Sequence, residues 1–132
     1  MILSITYKEL ENQILCLYGT TIVLSFIDEK TICVSRKIVS LLPSAKLKIQ
    51  VINIVDSDVT FSYDGGVLAK SIINGVILFI REKFVRQVSF VERNHVILHL
   101  AKIKNIGKIF DLLELRDIVF QENKINLYLE FK

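Results

Sequence analysis

Two histidines, two cysteines and a group of aspartates are the side chains whose types and spacing could do chemistry in this chain. His95 and His99 are four residues apart, and on a helix that spacing would offer both rings to one metal. They fall instead within an alternating Val96, Leu98, Leu100 pattern, which predicts a strand. At about 3.3 Å per residue they would stand on one face roughly 13 Å apart, too far to share a metal within one chain. They read as two polar-face histidines, with an intermolecular metal or a pH-sensitive interface as the alternative. Cys16 and Cys33 lack metal or redox spacing and read as reduced, buried thiols. Asp56, Asp58 and Asp64 hint at a calcium loop, but the sixth place is Phe61 where Gly is needed and the twelfth is Val67 where Glu is needed. Gly65-Gly66 lacks the spacing of a phosphate loop, and no G-x-S-x-G elbow occurs. Glu114 and Asp117 around Arg116 read as a surface charge cluster. The expectation is therefore a non-enzymatic protein with no metal and no cofactor.

The lysines say slightly more. Lys46 and Lys48 share one strand face, while Lys102, Lys104 and Lys108 bracket Ile103 and Ile106. Basic residues beside an apolar segment could touch anionic lipid, which makes peripheral membrane contact through Lys102, Lys104 and Lys108 a possible partner interaction. The plainer reading is solvated faces and edge protection. Aromatics do not interleave with these lysines, and the net charge is only +3, so nucleic acid is not expected.

The elements that must position these residues follow from composition and pattern. The chain has 132 residues, 52% hydrophobic and 23% charged, which excludes disorder and suits a single domain, 1–132. Ile, Leu and Val supply 50 residues and Ala only three, a balance that favours sheet. Thr6-Tyr7-Lys8-Glu9 is a capping box, and Gly19 stands where a helix C-cap belongs, so a first helix is predicted over 7–18. Hairpins are predicted around Asp28-Glu29-Lys30, Asp56-Ser57-Asp58, Arg93-Asn94 and Glu122-Asn123-Lys124. A phase change near Ile52 to Ile54 predicts a bulge or a strand buried on both faces. Residues 67–84 read as a long, largely buried second helix, with a central strand as the competitor. A third helix is predicted from Asn105 to Leu113.

The hairpins resemble one another. Ser25-Phe26-Ile27-Asp28 matches Ser89-Phe90-Val91-Glu92, and Val85 to Glu92 matches Leu115 to Glu122. The fold expected is α+β: a curved antiparallel sheet of about four hairpins, eight strands, with three helices against it.

The capped first helix, the hairpins, the apolar helix and the closing L-R-D-I-V-F and I-N-L-Y-L-E strands together resemble small members of the tubular lipid-binding (TULIP-like) superfamily. That resemblance implies a sheet wrapped around a long helix, with acyl chains along an apolar seam. From the residues themselves, the excess of apolar side chains without a catalytic set points to an apolar-ligand or lipid-binding module. Its seam would be lined by Leu68, Ile72, Val76 and Phe79 against Phe26, Phe61 and Phe90. The alternative is a homo-oligomeric structural or interaction domain whose apolar excess is a subunit contact, through an unpaired edge strand. The opening residues lack a basic region followed by a long apolar stretch, so a cytoplasmic chain is expected.

Overall fold

The computed structural model describes residues 1–19, 21–36, 45–65, 88–91, 94–103 and 107–132. Among these residues nine strands and one α-helix form in this order: β1 (Ile2–Thr6), α1 (Tyr7–Tyr18), β2 (Val23–Asp28), β3 (Thr31–Arg36), β4 (Ala45–Val55), β5 (Asp58–Gly65), β6 (Val88–Val91), β7 (His95–His99), β8 (Leu113–Phe120) and β9 (Lys124–Phe131). They build two antiparallel sheets, one of three strands in the order β1-β9-β8 and one of six in the order β2-β3-β4-β5-β7-β6.

Local chemistry sets most of these boundaries. The Thr6 hydroxyl accepts from the Glu9 amide at 3.1 Å, which starts α1. Gly19, at φ 64°, ends it by donating its N–H to the Leu15 carbonyl. The Asp28 carboxylate accepts from the Lys30 amide at 2.9 Å and folds the β2–β3 turn. Asp56 and Ser57, at φ 50° and 67°, make the two-residue left-handed turn that joins β4 to β5. The ladder slips between Val51 and Asn53, so Ile52 is an extra residue in β4, as the phase change there predicts.

The α+β expectation with three helices is overturned. Strands take 63% of the described residues, and α1 is the one helix of seven residues or more among them. Of the predicted third helix, Asn105 and Ile106 lie outside the described residues, Gly107–Asp111 forms a short 3-10 turn that follows another at Leu100–Lys102, and β8 already begins at Leu113. Gly107 explains the break. It is buried, and a Cβ there would fall onto the Ala101 carbonyl, so the two turns close on each other in a way a continuous helix does not allow. The apolar spacing of Ile109, Phe110 and Leu113 is met instead by a turn running into a strand. The expected helix over 67–84 lies outside the described residues.

A single curved sheet is also replaced, by two. β1, a strand without a counterpart in the sequence reading, takes the outer side of β9. The outer side of β8 is taken by the β2–β3 turn: the Phe120 amide donates to the Glu29 carbonyl at 2.8 Å. The Lys30 ammonium donates to the Ile118 carbonyl at 2.8 Å and pairs with the Asp117 carboxylate. Tyr7 ties α1 to the β8–β9 turn through its amide, to Asn123 O at 3.0 Å, and its hydroxyl, to Gln121 O. Between the sheets lies the core, with Leu24, Ile32, Val51 and Val59 from one and Leu113, Leu115, Ile118, Phe120, Ile125 and Leu129 from the other.

Candidate functional site

Strand register places a broad apolar face on the inner side of the six-stranded sheet. Leu24 and Phe26 pair with Val34 and Ile32, and these pair with Leu47 and Ile49. Ile49 and Val51 pair with Tyr63 and Phe61, and Phe61 pairs with Val96. Direct partners in a ladder share a face, so all these side chains stand on one side. Phe90 pairs with Val96 in the outermost strand and so occupies the same row. The structure thus brings Phe26, Phe61 and the Phe90 position onto one surface. Leu68, Ile72, Val76 and Phe79 lie outside the described residues.

Among the described residues only part of this face is covered. Leu24, Ile32, Val51 and Val59 are buried in the shared core, whereas Val34, Leu47, Ile49, Phe61, Tyr63 and Val96 are half-buried and Phe26 is 38% exposed. The smaller sheet shows the same excess. Its inner face carries Leu127, Leu129 and Phe131 on β9 opposite Met1 and Leu3, and Leu3 is 56% and Phe131 76% exposed. Leu3 and Phe131 were not singled out from the sequence. Only the clean alternation of β9 could have flagged Phe131.

The opposite face of the six-stranded sheet is polar and holds the one linked set of reactive side chains among the described residues. Asp58 and His99 are direct partners on β5 and β7. Asp58 Oδ1 lies 2.8 Å from His99 Nδ1, and His99 Nε2 lies 2.7 Å from Ser89 Oγ on β6. A carboxylate, an imidazole and a hydroxyl in series can pass a proton. Acyl chemistry also needs N–H donors set around a developing oxyanion, usually from a turn. Here the bonds from Leu100 N to Ser57 O and from Tyr63 N to Asn94 O fix the ladder phase. That phase commits the Ser89 amide to Ile97, mid-strand. These side-chain bonds link β6 to β5 across β7. His95 stands opposite Ser62 and takes no part.

The remaining sequence candidates are separated. Lys102 and Lys108 are exposed on the two 3-10 turns, with exposed Ile109 and Leu112 beside Lys108, and Lys104 lies outside the described residues. Cys16 is exposed on α1 rather than buried, Cys33 is half-buried on β3, and both are free thiols. A shallow cleft lies where the Ile52 bulge of β4 meets a second bulge at Arg116 of β8, lined by Lys30, Asn53, Arg116 and Asp117. Its charges neutralise one another, because Lys30 pairs with Asp117 and Arg116 with Glu114 and Glu130. Among the described residues no group of three metal-ligating side chains occurs, and no helix is long and apolar enough to cross a membrane.

No family model, curated protein or solved structure matches this chain.

Proposed function

We propose that the protein is a non-enzymatic apolar-ligand carrier that holds a lipid acyl chain against the inner face of its six-stranded sheet. The observation that carries this reading is the mismatch between the two sheets, which leaves Phe26, Ile49 and Phe61 of the larger sheet and Leu3 and Phe131 of the smaller one without full cover. Contiguous apolar surface of this kind is kept by soluble proteins where something binds it. Lys102 and Lys108, with Ile109 and Leu112, would meet anionic headgroups during exchange with a membrane surface. Two free thiols suit a reducing compartment, in keeping with a cytoplasmic carrier.

Native mass spectrometry of protein purified without detergent tests the reading. The expected result is protein carrying an adduct of lipid mass, with uptake of a fluorescent fatty acid that Phe26→Glu weakens by about tenfold, equivalent to about 1.4 kcal/mol. Adduct-free protein that takes up no fatty acid would sink it.

A further inference from the structure

The four outer strands of the two sheets are not treated alike. β8 is closed by the β2–β3 turn, through the Phe120 amide and the Ile118 carbonyl. β2 is interrupted by a slip between Phe26 and Asp28, and β6 has only four residues. Bulges, coverage and shortness are the ordinary means of blunting a sheet edge. Among the described residues nothing covers β1, and no slip interrupts its five residues. Residues 1–6 are Met-Ile-Leu-Ser-Ile-Thr, with no charged side chain, no proline and no glycine.

The ladder shows which groups this edge presents. Met1 and Leu129 exchange two backbone bonds, of 3.0 and 2.8 Å. The phase then commits the N–H and C=O groups of Leu3 and Ile5 to β9, and turns those of Ile2 and Ser4 outward. Among the described residues nothing bonds these outward groups, and the Ile2 side chain beside them is 59% exposed.

We propose that β1 is the self-association edge of this protein and that its occupant is the β1 strand of a second copy, added antiparallel about a two-fold axis. A strand without charged side chains is its own complement in that arrangement, since Ile2 of each copy faces Ser4 of the other and Leu3 faces its twin. The two three-stranded sheets become one of six strands. The Leu3 side chains, exposed on the inner face, then cover each other. A charged or covered edge would offer none of this.

Sedimentation across the micromolar range, joined to amide exchange, tests the proposal. The mass is expected to double as concentration rises. The Ile2 and Ser4 amides should gain protection in step with it, while those of Leu3 and Ile5 stay protected throughout. Ile2→Lys should abolish the doubling while leaving the circular dichroism spectrum and melting temperature of the monomer unchanged. A monomer at every concentration would overturn the proposal, as would a dimer whose Ile2 and Ser4 amides exchange freely. Fatty-acid uptake by Ile2→Lys separates this edge from the acyl-chain reading, because Ile2 stands on the outer face and its loss should not touch uptake.

Discussion

Tyr7 is buried at the junction of α1 with the smaller sheet, and burial raises its phenol above the ordinary value of 10.0. Its hydroxyl donates to the Gln121 carbonyl, so the neutral form is the one the fold holds. With the folded pKa above the unfolded one, the unfolded chain binds fewer protons between the two. Stability is then full below about pH 10 and falls as pH rises through that window. Tyr7→Phe should flatten this alkaline loss, and at neutral pH should cost about 1 kcal/mol for the missing hydrogen bond, read from urea denaturation midpoints at several pH values. Ser57 is the opposite case. It sits at φ 67° with its hydroxyl buried and, among the described residues, without a partner. Ser57→Gly gives the turn the Asp-Gly pair that such geometry favours and removes an unpaired polar group, so it should stabilise by about 1 kcal/mol in the same assay.

At the scale of elements, Gly107 decides how the chain passes from the larger sheet to the smaller. Its amide donates to the Ile103 carbonyl at 2.8 Å while its Cα rests against Ala101. Gly107→Ala should lower thermal stability by about 1–3 kcal/mol, as overpacking does, and a variant that melts at the wild-type temperature would show that the turns are not locked there. The same region shows what sequence reading can and cannot reach. α1, the β2–β3, β4–β5 and β8–β9 turns and the Ile52 bulge were legible because each is written in neighbouring residues: a capping box, an acidic turn, a change of phase. The Asn105 to Leu113 stretch was not, because helical spacing of apolar residues is equally served by a turn that enters a strand. β1 was not, because five residues are too few to show a period and its partner lies at the far end of the chain. Among site residues, the side that Phe26 and Phe61 each take on their own strand could be read from alternation alone. The Asp58–His99–Ser89 linkage could not, since it depends on β7 lying between β5 and β6, and no local pattern records strand order.

For the whole molecule, the mismatch between a six-stranded and a three-stranded layer matters more than any single pocket. Both sheets carry apolar inner faces, and each extends past the other, β2 through Phe26 and β9 through Phe131. Ligand uptake rests on inner-face side chains and strand addition at β1 on the Ile2 and Ser4 backbone, with the Leu3 side chain common to both and Phe26 and Ile2 each belonging to one. The two can therefore be broken separately, by Phe26→Glu and Ile2→Lys. The contact between Ser4 and Asn126, whose side chains meet at 2.6 Å across a separation of 122 residues, has a further consequence for how the molecule comes into being. Closing so long a loop is slow, and contacts of this span form late in folding. During synthesis β1 is made long before β9, so its uncharged backbone waits without its ladder until almost everything else has been made. Correct assembly then becomes a race between the strand's own distant partner and any other strand that reaches it first.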